Sequence, residues 1–126
     1  MLKSLDLEQF KCFEELHLPL ERLTLLTGFN AAGKSSVLQA IVLLHQTVME
    51  NEWSTRLNLD GSVISLGSAS DVINETGRNN FGIGLTWDEC ACFWKFEADD
   101  RKGLWSREVI TATQTIRMPS HSICKE

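Results

Sequence analysis

A short glycine-bounded loop between an apolar run and a long apolar stretch is the feature that most constrains this chain. Residues 23–26 are nearly all apolar, the loop GFNAAGKSS follows, and an apolar stretch then runs to about residue 49. A short continuous apolar run predicts a strand covered on both faces. Residues 34–49 are long enough for about four helical turns. A strand, a tight loop and a helix in this order predict an α/β fold.

The loop matches G-x-x-x-x-G-K-[ST] at every fixed position, through Gly28, Gly33, Lys34 and Ser35. In such a loop successive backbone N–H groups point into one concavity, and the helix that follows adds its unpaired N–H groups. The lysine reaches the β- and γ-phosphates of a nucleotide, and the hydroxyl binds Mg²⁺. The loop therefore predicts binding of ATP and Mg²⁺, with Ser35 as the metal ligand. We call residues 28–36 the glycine loop, and the binding residues predicted within it are Gly28, Asn30, Ala31, Ala32, Gly33, Lys34, Ser35 and Ser36.

The remaining elements follow from the spacing of apolar residues. Alternating patterns predict an antiparallel hairpin from two strands before residue 21, and a β-meander of about three strands over residues 81–118, with a hairpin loop at 99–103. Apolar residues go almost all the way round the helix of residues 34–49, which predicts burial between layers. Residues 51–80 are irregular, with a short helix capped by Ser68 or Ser70 and ending near Asn74. We expect one partial domain over residues 1–126, divided at 1–50, 51–80 and 81–118.

Composition excludes several classes of protein. The chain has 126 residues, a net charge of −5 and a pI near 5.2, which argues against a strong nucleic-acid surface in this segment. The N-terminal residues alternate apolar and charged side chains, unlike a signal peptide, and the longest apolar stretch is far too short to span a bilayer. We therefore expect a cytoplasmic protein with no membrane partner, whose four cysteines are reduced.

A wider set of motifs resembles the start of the SMC/RecF/OLD-like branch of ABC-type ATPases. The segments are QFKCFEE, LTLLTGFNAAGKSSVLQAI and LLHQ, with VISLGSASDVINE as a softer match. They are most similar to prokaryotic "AAA family ATPase" proteins of the AAA15 type, several of which serve in DNA repair or anti-phage defence. In that family the loop reads G-x-N-x-x-G-K-S-[ST], and Asn30 matches its asparagine. The resemblance implies an ABC-ATPase-like P-loop NTPase lobe with an antiparallel β-meander and one buried central helix, incomplete as a fold.

The same resemblance adds residues to the site. It implies that the turn after the first strand lies near the nucleotide base, so that Lys11, Cys12 and Phe13 become neighbours of the base or ribose. It also implies that Asn30 approaches the γ-phosphate. For Phe13, an ordinary core position in the hairpin is an equal alternative.

Hydrolysis in that family needs parts without convincing counterparts in this chain. They are a Walker B strand ending in Asp-Glu, a signature loop from a second subunit and a downstream histidine. FGIGLTWDE ends in Asp88 and Glu89, but its alternation with glycine favours a half-exposed strand followed by a turn. We therefore expect a module that holds ATP without cleaving it alone, and that works as a homo-oligomer or with a complementing ATPase half. Nucleic acid would be contacted only through parts outside this chain, and an apolar surface should remain where the other half docks.

Alternatives from other classes stay open. Asp88 and Glu89 would complete the site of a compact stand-alone P-loop NTPase, or the chain would be an interaction module with a relic loop. By its order along the chain Gln114 is a candidate for the Q-loop glutamine of that family, and Gln46 is considered beside it. An exposed strand position for Gln114 and a helix-end position for Gln46 are the simpler interpretations. A zinc site is a further alternative, although its Cys-x-Cys spacing is unusual for structural zinc; it would use Cys90, Cys92, His121 and Cys124.

Overall fold

The computed structural model describes residues 1–50, 57–99 and 109–117. The described elements are β1 (Leu2–Phe10), β2 (Phe13–Pro19), α1 (Lys34–Glu50), α2 (Ala69–Val72), β3 (Asn80–Trp87), β4 (Ala91–Asp99) and β5 (Val109–Arg117). The strands form one five-stranded sheet in the order β2-β1-β3-β4-β5, and every neighbouring pair is antiparallel. The α/β class is confirmed.

The predicted hairpin and meander are both present. β1 and β2 pair from Ser4 opposite Pro19 to Phe10 opposite Phe13, which leaves a turn of only two residues, Lys11 and Cys12. β3, β4 and β5 follow one another in the sheet as they do in the sequence. Of the loop predicted at 99–103, residue 99 ends β4 and the others lie outside the described residues.

The core forms between α1 and one face of the sheet. Alternation along the strands places Leu5 and Leu7 of β1 beside Phe81 and Ile83 of β3, and all four are at most 1% exposed. Helix α1 contributes residues spaced three and four apart to the same core: Val37, Ala40, Leu43 and Leu44. The apolar residues with alternating spacing in the strands and those with helical spacing in α1 therefore pack together in one layer.

The glycines of β3 are covered by one aromatic ring on the opposite face of the sheet. A Cβ built on Gly82 would lie 2.7 Å from Cε1 of Phe93, and one built on Gly84 would lie 2.8 Å from Cδ2 of the same ring. Both glycines are buried although they face away from the core. The glycine alternation therefore marks a strand whose outer face is filled by the neighbouring strand's phenylalanine.

The strand predicted at residues 23–26 is wrong. The segment forms no strand, and the side chains of Leu23 and Leu25 are 89% and 83% exposed. A strand needs a hydrogen-bonding neighbour, and the strands that the structure describes pair elsewhere. The segment is apolar, but it pairs with none of the described strands.

The expectation of a helix buried on all sides is also wrong. α1 ends one residue later than predicted and buries one side only, because Leu38 is 57% exposed and Met49 is 71% exposed. Together with Leu23, Leu25 and Phe29 these residues leave apolar surface in contact with water.

The start of the predicted short helix is confirmed, and the helix ends earlier than predicted. Ser68 is the N-cap of α2, which ends at Val72 rather than Asn74. Both the backbone N–H and the hydroxyl of Ser68 donate to Oδ2 of Asp71, each at 2.8 Å. These bonds hold the pKa of the Asp71 carboxyl below its usual value, the backbone bond being the larger cause.

Candidate phosphate-binding site

The part of the glycine loop that precedes α1, residues 28–33, forms a tight turn. Ala31 has φ +71° and Gly33 has φ +90°, and the N–H of Ala32 donates to the carbonyl of Phe29 at 3.1 Å. α1 begins at Lys34, so its first N–H groups have no partner within the helix and open onto the loop. The loop residues from Gly28 to Ala32 are exposed to solvent. The arrangement presents a backbone concavity and a helix N-terminus to water, which suits an anion.

The side chain of Lys34 folds back over the loop. Its ammonium donates to the carbonyl of Phe29 at 2.7 Å and also to the carbonyl of Gly28. The charge is thereby held beside the concavity rather than extended into solvent. Ser35 is exposed at the first turn of α1. The loop thus brings the Lys34 ammonium and the N-terminus of α1 to one place.

The hairpin turn lies directly against the glycine loop. A Cβ built on Gly33 would lie 2.8 Å from Sγ of Cys12 and closer still to Cζ of Phe13. Gly33 also has a φ of +90°, which side chains rarely adopt, so glycine is required there on two grounds. Phe13 is half-buried and packs against the core as well. The turn and the loop are therefore neighbours, and Phe13 combines a core position with a place at the loop.

The segment at the end of α2 supports this turn, although its resemblance to the family is weak. Val72 accepts a hydrogen bond from the N–H of Lys11 at 2.6 Å, and Nδ2 of Asn74 donates to the carbonyl of Lys11, also at 2.6 Å. Ile73 forms an isolated bridge with Phe10. The contact joins residues 63 apart in the chain, so no local pattern predicts it. Only the resemblance of VISLGSASDVINE to a family segment pointed to these residues.

Asp88 and Glu89 are not brought to the glycine loop. Asp88 forms ion pairs with the N-terminal ammonium of Met1 and, at 3.3 Å, with Nζ of Lys3. These contacts, the first of them foremost, lower the pKa of the Asp88 carboxyl. Asp88 lies where β1 begins, whereas the turn that touches the loop lies where β1 ends. A strand of nine residues separates the two, roughly 26 Å at the usual rise.

Gln46 proves to be a structural clamp. Its side chain is fully buried, and Nε2 donates to the carbonyls of Asn58 and Ile64 at 2.9 Å each. Its Oε1 accepts from the N–H of Ile64 at 2.8 Å and from that of Val63 at 3.2 Å. A Cβ built on Gly61 would lie 2.5 Å from the same oxygen. The carboxamide therefore fastens the loop of residues 57–66 to α1, which the sequence alone did not indicate.

The other candidates receive little support. Gln114 lies in β5 opposite Trp94. Cys90 and Cys92 are half-buried, and burial raises the pKa of the Cys92 thiol, as packing in the sheet would. Within the described residues no group of three or more histidine, cysteine or acidic side chains is placed to hold a metal ion. His121 and Cys124, the other two predicted zinc ligands, lie outside them.

Comparison with protein families gives a match to the AAA ATPase domain over residues 1–106. The match covers most of the chain and includes the glycine loop, the hairpin turn and the segment that holds it. The chain belongs to the AAA15-type family of AAA ATPase domains. Membership in this family implies a P-loop NTPase fold.

Two curated proteins are similar to parts of this AAA ATPase domain. One is the OLD nuclease of Thermus scotoductus, 42% identical over 60 residues, which is 48% of this chain and 11% of that protein. The other is the DNA replication and repair protein RecF of Thermomicrobium roseum, 36% identical over 73 residues, 57% of this chain and 17% of that protein. The matched segments thus span less than a fifth of either relative. No solved structure matched the chain.

No helix in the described part of this AAA ATPase domain is long and apolar enough to cross a membrane.

Proposed function

We propose that this chain is the ATP- and Mg²⁺-binding lobe of an SMC/RecF/OLD-like ABC-type ATPase. The observation that carries the proposal is the Lys34 ammonium, held over the glycine loop by the carbonyls of Gly28 and Phe29. Beside it lie the exposed residues 28–32 of the loop and the first turn of α1. A triphosphate fits such a set, because anions favour helix N-termini and backbone nests.

The remaining groups have separate tasks in this proposal. The hydroxyl of Ser35 would hold Mg²⁺, which neutralises charge on the phosphate oxygens when bound. Asn30, exposed in the loop, would approach the γ-phosphate. Ser36, Ala31 and Ala32 would contribute backbone or side-chain donors to the phosphates.

The hairpin turn would meet the nucleoside end of the ligand. Lys11 and Phe13 belong to this part of the proposal, with Cys12 between them, because Cys12 and Phe13 lie against Gly33 and therefore border the loop. Phe13 is anchored in the core at the same time, so its ring is held in place before any ligand binds.

We further propose that hydrolysis awaits groups from another segment or another chain. Asp88 and Glu89 lie at the far end of β1 from the glycine loop and are a poor choice as catalytic acids. The exposed apolar side chains of residues 23–26 and of α1 support a lobe that packs against further structure, either a complementing ATPase half or a second copy. We treat residues 1–126 as one partial domain of a cytoplasmic protein.

The names of the two relatives favour a role in DNA repair for the whole protein. A role in phage defence is the other one that the family resemblance implies. A net charge of −5 favours contact with DNA through parts other than this chain.

Titration calorimetry with ATP and Mg²⁺ tests the proposal. Lys34→Ala should weaken binding at least about tenfold, because hydrogen bonds to charged groups contribute the most. Lys3→Ala is the matched control, since Lys3 pairs with Asp88 and should leave binding unchanged. No binding by the wild-type chain at millimolar ATP would favour the relic-loop alternative. Magnesium-dependent hydrolysis that is lost in both Lys34→Ala and Asp88→Asn would instead establish a stand-alone NTPase.

A further inference from the structure

The end of β1 adopts a backbone conformation that needs support. Gln9 has φ +52° and Lys11 has φ +51°, so two residues with bulky side chains stand in the left-handed region close together. Such residues seldom adopt this region without contacts that hold them there. The strained pair lies directly before Cys12 and Phe13, the residues that touch Gly33.

One segment holds both strained residues. The N–H of Asn74 donates to the carbonyl of Gln9 at 2.9 Å, and the carbonyl of Val72 accepts from the N–H of Lys11 at 2.6 Å. The third bond, from Nδ2 of Asn74 to the carbonyl of Lys11 at 2.6 Å, is the one made by a side chain. Substitution of Asn74 therefore removes one anchor of the turn and leaves the two backbone anchors in place.

The Asn74 side chain is itself fixed in orientation. Its Oδ1 accepts from the N–H of Thr76 at 3.0 Å and from the hydroxyl of Thr76 at 2.8 Å. With Oδ1 so engaged, Nδ2 is directed to the Lys11 carbonyl. The same hydroxyl lies 3.1 Å from Oε1 of Gln9, the longer of the two contacts open to its single proton, so Thr76 borders the Gln9 end of the strained turn.

We propose that Asn74 is a positioning residue for the glycine loop. It holds Lys11 in the left-handed conformation, which seats Phe13 against Gly33 and so keeps the first residues of α1 in the arrangement that receives phosphate. This inference rests on the proposed nucleotide binding and extends it to a residue that touches neither the loop nor the ligand. Asn74 would affect the affinity for the phosphate groups of the ligand. Substitution of Asn74 should therefore weaken binding of inorganic tripolyphosphate as much as binding of ATP.

The test compares variants of the full 126-residue chain. Asn74→Asp keeps the size and the acceptor for Thr76 but lacks the donor to Lys11, and Asn74→Ala removes both. Each should weaken binding of Mg²⁺-ATP and of tripolyphosphate by about three- to tenfold, the effect of the hydrogen bond to Lys11 that both variants lose. In the unliganded chain the amide protons of residues 33–36 should exchange faster by a similar factor.

Asp71→Asn is the matched control. It lies in the same segment and loses the bonds from Ser68, which are its hydrogen bonds, whereas its link to the hairpin turn is an electrostatic attraction to Lys11 that ranks below them. It should lower the Tm without changing ligand affinity or the exchange of residues 33–36. Should Asn74→Ala fail to fold, Asn74→Asp is the deciding variant.

Two results would overturn the positioning role. One is wild-type affinity and wild-type exchange in Asn74→Asp; the other is an equal loss of affinity in Asp71→Asn at a comparable Tm. If the wild-type chain binds neither ATP nor tripolyphosphate, the proposed function fails. Faster exchange at residues 33–36 in the Asn74 variants would then still support the positioning role, and unchanged exchange would refute it.

Discussion

The ring of Phe13 occupies the space into which any side chain at Gly33 would project. A residue of the first hairpin and the second fixed glycine of the loop are thereby packed together, although the loop was recognised from a local motif. The hairpin turn, the glycine loop and the start of α1 form one packed unit. Mutations at this contact should report how strongly the three parts depend on one another.

Gly33→Ala should destabilise the fold by about 2 kcal/mol, from backbone strain and from contact with the ring. In a Phe13→Ala background the cost of Gly33→Ala should fall without vanishing, because the φ of +90° remains. Chemical denaturation of the four proteins measures the coupling. Additive free energies would show that the ring is free to move away from the loop.

Gln46→Ala should cost about 2–4 kcal/mol, because it removes four hydrogen bonds between a fully buried carboxamide and the part-buried backbone of residues 58–64. The fall in Tm, roughly 10 °C or more, is measured by thermal unfolding. Gly61→Ala supplies the partner experiment, since a methyl group there would meet the Gln46 carboxamide. Its own cost of about 1–3 kcal/mol should shrink when Gln46 is already alanine. Equal costs in both backgrounds would contradict the clamp.

Phe93→Ala should cost about 2 kcal/mol by exposing the backbone of Gly82 and Gly84. Lys95→Ala is the control, because Lys95 lies on the same face of β4 opposite Gly82 and is exposed. That change should stay within about 0.5 kcal/mol. Urea denaturation compares the two, and similar values would mean that the ring does not protect the glycines.

Asp71→Asn should flatten the dependence of Tm on pH in acid. The pKa of Asp71 is lowered in the folded chain, so its contribution to stability is present above the ordinary value of about 3.9 and is lost as the pH falls through the folded pKa. Thermal scans from pH 5 down to about pH 2 measure this difference between variant and wild type. Ser68→Ala should retain the larger part of the effect, because the backbone donor of Ser68 remains. If the Tm of Asp71→Asn depended on pH as that of the wild type does, the bonds from Ser68 to Asp71 would not be the cause of the acid dependence.

The sequence by itself determined the elements that depend on local patterns. Alternation predicts the hairpin and the meander, the long apolar stretch after the loop predicts α1 from Lys34 onward, and the fixed glycines with Lys34 and Ser35 predict the loop. These signals arise from the chain's own periods and from backbone geometry, which act over a few residues.

The tertiary structure decided what depends on distant partners. It left residues 23–26 without a strand, because a strand needs a hydrogen-bonding neighbour that local composition does not supply. It turned Gln46 into a buried clamp, placed Asp88 at the far end of β1, and joined Asn74 to Lys11 across 63 residues. These outcomes depend on hydrogen bonds and packing between segments far apart in the chain. The sequence pattern within one segment does not show which distant segment it will contact.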